Sequence, residues 1–155
     1  VIGQVAAAKN IERCIRRSNL NLKDMILEPL ASADAVLTDD EKEAGVVLVD
    51  IGGGTTDLAV YYDNVIRHTA VIPFGGNVVT NDIKEGCAIL LRHAEQLKIQ
   101  YGSALGDIAP EDKVVSIPGI AGREPKEISF KSLAYIIQSR MEEIIDIINL
   151  SLIHI

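Results

Sequence analysis

The chain has 155 residues and a formal net charge of −7, with 48% hydrophobic and 24% charged residues. This apolar content excludes a disordered tail, which could not offset the entropy of ordering, and no apolar run approaches the roughly 18 residues of a membrane span. A nucleic-acid partner is not expected, because neutralising phosphates requires a surplus of Lys and Arg. Cys14 and Cys87 lack metal-ligand or CxxC spacing, so we interpret both as reduced thiols of a cytosolic protein.

The two ends of the chain indicate an internal fragment of a longer gene product. The chain begins at Val1 rather than Met, in a segment that resembles the end of a strand. The last six residues, 150–155, match the translation of a transposase mosaic-end adapter used in sequencing libraries. We interpret these six residues as adapter read-through, and a chance apolar tail is the alternative.

The N-terminal third predicts two helices and one short strand. The spacing of apolar residues predicts a helix over residues 6–18, with arginines in its last turn. Residues 25–27 are typical of a short buried strand. Pro29 then starts a helix that extends over residues 30–37, and the charged residues 38–43 are expected to form a solvated loop.

The central part predicts three consecutive strands. The β-branched run 46–49 is typical of a strand that is covered on both faces. Strands are predicted over residues 58–62 and 65–72, with a hairpin turn at Asp63-Asn64 between them.

The remainder predicts three further helices and one strand. A second glycine turn at residues 73–77 opens one helix, and another helix is expected over 89–101. Residues 114–120 are predicted to form a strand and residues 122–126 a turn, and Ser129 is the expected N-cap of the last helix. This order of strands and helices indicates a mixed α/β fold.

The strongest chemical signal is the segment DIGGGTTD at residues 50–57. Its three glycines let the backbone approach a ligand closely and turn N–H groups toward an anion, and its two threonines add hydroxyl donors. Asp50 is placed to hold a hydrated Mg²⁺, which binds one or two carboxylates and keeps its waters. The segment is neither a P-loop nor a Rossmann motif, because no Gly-Lys-Ser/Thr follows it and the next element is a strand. A glycine turn without a ligand is the alternative.

This segment resembles the second phosphate motif of the actin-like ATPases, the superfamily of actin, Hsp70 chaperones and sugar kinases. Four more segments are similar to the FtsA family of bacterial cell-division proteins: EPLASADAVL at 28–37, RHTAVIPFGG at 67–76, AEQLK at 94–98 and IPGIAGR at 117–123. The resemblance covers nearly all of residues 1–149. It implies the actin-like (ribonuclease H-like) α/β fold, present here in part.

The resemblance implies that ATP, with Mg²⁺, lies between two lobes and is held by two phosphate hairpins. The residues that it assigns to the phosphates in this chain are Gly52, Gly53, Gly54, Thr55 and Thr56. The catalytic candidates are Asp50, which would hold Mg²⁺ through water, and Glu28, which would orient water or metal. An ordinary carboxylate at a helix start is the alternative for Glu28.

Two further parts of the nucleotide site are implied by the resemblance. The N–H groups of Gly75, Gly76 and Asn77 lie at a helix start and would face the nucleotide. Glu95 and Lys98, three residues apart on one helix face, would reach the ribose. A plain turn and a solvated ion pair are the respective alternatives.

The resemblance also implies a division of the chain. Residues 1–45 would be a remnant of the first lobe. Residues 46–77 and 139–149 would form subdomain 2A with its phosphate hairpin, and residues 78–138 would form subdomain 2B. Residues 150–155 would lie outside the natural protein as adapter read-through.

The partners are likewise implied by the resemblance. The basic residues Arg123, Lys126 and Lys131 would receive the acidic C-terminal tail of the tubulin-like protein FtsZ, and a mixed-charge surface is the alternative. The protein would self-associate into actin-like filaments. It would lie on the cytoplasmic face of the membrane through a C-terminal helix that this chain does not contain. A first phosphate hairpin and an adenosine motif are also missing, so we expect the fragment to bind ATP weakly and not to work alone.

The predicted function is therefore an ATP-binding, actin-like adaptor that polymerises and tethers the FtsZ ring to the membrane, with weak ATPase activity at most. The alternatives are a sugar-kinase-type phosphotransferase, an Hsp70-type chaperone ATPase, a pilus-assembly or rod-shape homologue, and a non-hydrolysing scaffold. The sugar-kinase hypothesis lacks a sugar-binding insert, and the rod-shape homologue lacks the motif at 117–123. The substitution Asp50→Ala separates a scaffold from a working site.

Overall fold

The computed structural model describes residues 5–119 and 124–153 of the chain. The elements are α1 (Val5–Arg17), α2 (Glu28–Val36), α3 (Asp39–Ala44), β1 (Val46–Ile51), β2 (Thr56–Tyr62), β3 (Val65–Ile72), α4 (Gly76–Cys87), α5 (Leu91–Tyr101), β4 (Val114–Ile117), β5 (Lys126–Ser129) and α6 (Phe130–Ile153). The predicted mixed α/β fold is confirmed. Ser129 caps α6 as expected, because its Oγ accepts a hydrogen bond from the N–H of Ser132 at 3.1 Å. Among the helices in the described ranges, none has the length and apolarity needed to cross a membrane.

The main sheet consists of three antiparallel strands in the order β1-β2-β3. Asp63 and Asn64 join β2 to β3, with left-handed φ angles of 55° and 56°. A two-residue turn of this kind matches the twist of the flanking strands, which confirms the predicted hairpin. Between β1 and β2, Asp50 lies opposite Asp57. The DIGGGTTD segment therefore forms the closed end of a second hairpin.

Helices α6 and α2 cover opposite faces of this sheet. On one face, Leu58 of β2 belongs to a cluster with Ile144 of α6, and the two side chains are 0% and 1% exposed. On the other face, Ala59 of β2 packs with Ala33 of α2. Full burial of a large aliphatic side chain contributes about 1.5–3 kcal/mol, so both faces of β2 anchor the hairpin firmly.

A second core lies beside the sheet and includes the first half of α6. Its buried members are Val79, Ile83, Cys87, Ile89, Ala94, Leu97, Ile117, Ile128, Leu133 and Ile137. Met141 packs against both this core and the α6 face of the sheet. Next to it, Arg140 donates two hydrogen bonds to the carboxylate of Asp82 on α4. The position of α4, which begins at the second glycine turn, is thereby fixed relative to α6 and the sheet.

The strand predicted at residues 25–27 is wrong. These residues form neither helix nor strand, and the side chains of Met25 and Ile26 are 45% and 68% exposed. A strand needs a neighbouring strand to complete its backbone hydrogen bonds. Within the described ranges, the strands of the main sheet pair only with one another, so an apolar run at this position has no strand to join.

The loop predicted at residues 38–43 is also wrong, because Asp39–Ala44 form the short helix α3. The N–H of Glu41 donates to Thr38 Oγ1 at 3.3 Å, and the N–H of Thr38 donates to Glu41 Oε2 at 2.8 Å. This capping box satisfies two backbone donors that would otherwise lack partners. Gly45 ends the helix, as predicted, with a φ of 108°.

Two further strand predictions need correction. The strand β1 is not covered on both faces, because it forms an edge of the sheet and the side chains of Val47 and Val49 are 41% and 37% exposed. The turn predicted over residues 122–126 gives way to β5, which begins at Lys126 and pairs with β4. Residues 120–123 lie outside the described ranges.

Candidate functional site

The first glycine turn, at residues 52–54, presents its backbone to open space. The N–H of Gly52 donates to the Thr55 carbonyl at 2.8 Å, which closes the turn. Within the described ranges, the N–H groups of Gly53, Gly54 and Thr55 donate to no protein acceptor. A Cβ added to Gly54 would meet no heavy atom within 4 Å. Three neighbouring donors without acceptors, and space in front of them, suit an anionic ligand.

The second glycine turn packs directly against the first. The N–H of Gly76 donates to the Gly52 carbonyl at 2.9 Å, and the N–H of Asn77 donates to the Gly53 carbonyl at 2.8 Å. A Cβ on Gly75 would lie 2.4 Å from the Gly52 oxygen, so only glycine fits there. The N–H groups of Gly76 and Asn77, which the resemblance assigns to a nucleotide, are therefore already paired with the first turn.

Helix α5 supports the second turn through a charged network. The Nζ atom of Lys98 lies 3.0 Å from the Gly76 carbonyl oxygen, 2.8 Å from Thr80 Oγ1 and 2.8 Å from Glu95 Oε2. Thr80 also donates to Glu95 and is 4% exposed. Hydrogen bonds from Lys98 and then from Thr80 hold the pKa of the Glu95 carboxyl below its ordinary value. The structure thus brings Glu95 and Lys98 to the glycine turns, as the resemblance implies.

Two carboxylates face each other at the base of the first turn. Asp50 and Asp57 are directly opposite across β1 and β2, an arrangement of like charges that destabilises a sheet unless a cation lies nearby. Asp50 accepts a hydrogen bond from Ser32 Oγ at 2.9 Å, and Asp57 accepts one from Thr55 Oγ1 at 3.3 Å. The described residues contain no cluster of three or more His, Cys, Asp or Glu suited to a metal. One or two carboxylates are the usual protein ligands of hydrated Mg²⁺.

Thr56 and Glu28 occupy different surroundings. Thr56 is fully buried, and its hydroxyl donates to the Phe74 carbonyl at 2.8 Å, so it joins the hairpin to the second turn. Glu28 is exposed at the start of α2 and borders a cleft whose walls include Asp57 and His68. The structure therefore places Glu28 near the carboxylate side of the hairpin rather than at the open glycines.

Two of the three predicted partner-binding cations are engaged within the chain. Lys126 donates to the Cys87 carbonyl, and Lys131 pairs with Glu111. Arg123 lies outside the described residues. A groove beside Lys126 is lined mainly by apolar side chains: Ala88, Ile89, Leu90, Ile117 and Pro118.

Sequence reasoning missed Ser32 and Thr80. Ser32 lies on α2, eighteen positions before its partner Asp50, and only the packing of α2 against the sheet brings them together. Thr80 carries a weak local signal, because a threonine four residues after a helix start can donate back to the carbonyl there. Its Oγ1 lies 3.0 Å from the Gly76 oxygen.

A model of the family described as cell division protein FtsA matches residues 47–153. The cell division protein FtsA of Pseudomonas aeruginosa is 47% identical over 148 residues, that of Escherichia coli K12 44% over 142, and that of Bacillus subtilis 37% over 149. These alignments cover 96%, 92% and 96% of this chain but 36%, 34% and 34% of the relatives. The chain thus spans about a third of the length of these relatives.

Solved structures with the same fold include bacterial actin-like proteins. MreB5 of Spiroplasma citri bound to ADP superposes with a TM-score of 0.74 at 23% identity, covering 94% of this chain and 47% of that chain. The same protein bound to AMPPNP gives 0.73 at 25% identity, with coverage of 94% and 46%. The PilM-PilN type IV pilus biogenesis complex gives 0.54 at 21% identity over 61% of this chain and 29% of that chain. The actin-like fold implied by the sequence is therefore confirmed.

Proposed function

This chain belongs to the FtsA family of cell division proteins, and from that premise we propose that it carries the phosphate-binding half of an ATP-binding, actin-like protein. The observation that carries the proposal is the open first turn, where Gly53, Gly54 and Thr55 offer N–H donors that no described protein group uses. The solved MreB5 structures, which contain ADP or AMPPNP, support a nucleotide as the anion.

The neighbouring residues fit the rest of Mg·ATP. The opposed carboxylates Asp50 and Asp57 suit a hydrated Mg²⁺, with Asp50 acting through water. Glu95 has one carboxylate oxygen outside its bonds to Lys98 and Thr80, and its side chain is 44% exposed, so it is the candidate for a ribose hydroxyl. Bound Mg²⁺ would neutralise phosphate charge, and exposed Glu28 would orient a water in a slow ATPase.

At the scale of the whole protein, we propose an adaptor that self-associates into filaments and links the FtsZ ring to the cytoplasmic face of the membrane. The apolar groove beside Lys126 suits a peptide that is both apolar and acidic, which is the chemistry expected of the FtsZ tail. Binding would compete with the hydrogen bond from Lys126 to the Cys87 carbonyl.

The nucleotide proposal is tested by the Mg²⁺ dependence of binding. Amide NMR spectra of the chain during ATP titration, with and without Mg²⁺, detect even millimolar affinity. Mg²⁺ should strengthen binding to the wild-type chain, and Asp50→Ala should abolish that gain. Asp40→Ala, which removes an exposed carboxylate on α3, is the matched control and should keep it. Equal Mg²⁺ dependence in both variants would favour a non-hydrolysing scaffold.

The partner proposal is tested with a labelled FtsZ tail peptide in fluorescence anisotropy. Lys126→Glu should weaken binding strongly, because it reverses the charge at the groove. Lys113→Glu makes the same charge change at an exposed position just before β4 and should have little effect. A uniform loss in both variants would indicate a general charge effect and contradict a specific groove.

A further inference from the structure

Two peptide groups connect Lys98 to the open first turn. In a trans peptide the C=O and the following N–H point in opposite directions, and the described chain contains no cis peptide. The Gly76 carbonyl accepts from Lys98 Nζ at 3.0 Å, and the N–H of the same peptide group, that of Asn77, donates to the Gly53 carbonyl at 2.8 Å. The N–H on the far side of the Gly53 peptide group is that of Gly54. An unbroken path therefore leads from the ammonium to a free donor.

The ammonium of Lys98 has no donor left over for a ligand. An ammonium carries three N–H bonds, and Lys98 Nζ lies within 3.0 Å of three acceptors: the Gly76 carbonyl, Thr80 Oγ1 and Glu95 Oε2. The Lys98 side chain is only 22% exposed. The three contacts hold its charge behind the glycine turns rather than in the space in front of them.

Resting on the proposed nucleotide function, we propose that Lys98 is a positioning residue that strengthens the Gly54 N–H as a phosphate donor without contacting the nucleotide. Hydrogen bonds from a charged donor are roughly twice as strong as neutral ones. Each bond in a chain also polarises the next, by about 10–30% in condensed-phase estimates. The positive charge of Lys98 thus acts through the Gly76–Asn77 and Gly53–Gly54 peptide groups.

Thr80 is the second positioning residue of this relay. It is almost fully buried, and it accepts from Lys98 while donating toward α5 and the helix start. Removing its hydroxyl would leave Lys98 with two acceptors and freedom to leave the Gly76 carbonyl. Thr80→Val preserves the shape of the side chain and isolates that effect.

Amide NMR spectra of three variants, free and titrated with Mg·ADP, test the relay. Lys98→Met removes the charge and keeps most of the aliphatic stem. Lys84→Met is the control, since Lys84 lies on α4 and pairs with Glu85 at 2.7 Å. We expect Lys98→Met to move the amide protons of Asn77 and Gly54 upfield without nucleotide and to weaken Mg·ADP binding about three- to tenfold. Thr80→Val should change both in the same direction and less, and Lys84→Met should change neither.

The relay differs from a general field effect and from direct contact with the sugar in what each variant changes. Equal effects of Lys98→Met and Lys84→Met would overturn the relay in favour of a field effect. Loss of the preference for ADP over 2′-deoxy-ADP in Lys98→Met would also overturn it, because Lys98 would then contact the sugar. If the wild-type chain does not bind Mg·ADP, the proposed function fails, and the relay is judged on the Asn77 and Gly54 shifts without nucleotide. If Lys98→Met does not fold, Thr80→Val decides by the same shifts.

Discussion

In the first glycine turn a Cβ placed on Gly54 would meet no heavy atom within 4 Å, whereas in the second a Cβ on Gly75 would lie 2.4 Å from the Gly52 oxygen. The backbone donors differ in the same way. Those of Gly76 and Asn77 are paired with the first turn, whereas three donors in and beside the first turn have no acceptor within the described ranges. Two neighbouring glycine turns therefore use glycine for opposite reasons, one to leave room for a ligand and one to let two backbones touch.

The greatest loss of stability is expected at the closed turn. Gly75→Ala would place a methyl group 2.4 Å from the Gly52 oxygen and 2.8 Å from the Gly53 oxygen, and neither backbone atom can move without breaking the hydrogen bonds between the turns. We expect a loss of about 3 kcal/mol in the free energy of unfolding, from overpacking and lost hydrogen bonds. Urea unfolding followed by circular dichroism measures it. A loss below about 1 kcal/mol would show that the turns are not in close contact.

The adjacent threonines divide between the two roles. Thr56 is buried and bonded to the Phe74 carbonyl, whereas Thr55 is exposed. Thr56→Val should cost about 1–2 kcal/mol of stability, because a buried carbonyl loses its partner, and nucleotide affinity should change little. Thr55→Val should show the reverse pattern. Thermal unfolding and Mg·ADP titration of both variants provide the test, and a stability loss shared equally by both would contradict the assignment.

Gly54→Ala is the counterpart of the change at Gly75. Because a Cβ at Gly54 meets open space and the residue lacks a positive φ, we expect stability to change by less than about 0.5 kcal/mol. Binding of Mg·ADP should nevertheless weaken, since the methyl group enters the space assigned to phosphate. Measuring the urea midpoint and the ADP affinity on the same sample separates the two effects. Unchanged affinity would place the nucleotide elsewhere.

A weaker effect is expected in the pH dependence of stability, through Glu95. Hydrogen bonds from Lys98 and Thr80 lower the pKa of its carboxyl below the ordinary value of 4.5. The folded state therefore favours the carboxylate, so this contribution is present above pH 4.5 and is lost as the pH falls through the lower folded-state value. At pH values well above 4.5 the difference in stability between wild type and Glu95→Gln should stay constant, and it should shrink below pH 4.5. Urea unfolding of both proteins across this pH range measures the difference, and a difference that grows with acidification has the wrong sign.

Local signals in the sequence predicted the hairpins and the glycine turns. Asp63-Asn64 and the alternation around it specify β2 and β3 without reference to the rest of the chain. The capping box of Thr38 and Glu41 was present in the sequence as well, but the charge of the segment concealed it. Residues 25–27 could not be assigned from local pattern, since a strand exists only where another strand accepts it.

The site divides in the same way. The glycines of the first turn were identifiable because ligand access and backbone freedom are properties of the residues themselves. The pairing of the Gly76 and Asn77 donors with the first turn was not, because it depends on how two turns that are distant in the sequence meet. Thr80 and Ser32 take part through contacts of the same long-range kind.

Whether the first turn holds the ligand while the second supports it can be seen by titrating the wild-type chain with Mg·ATP and following every backbone amide by NMR. We expect the largest shift changes at Gly53, Gly54 and Thr55. We expect smaller changes at Gly76 and Asn77, whose hydrogen bonds to the first turn persist. Largest changes at Gly76 and Asn77, together with loss of those hydrogen bonds, would contradict this division of roles.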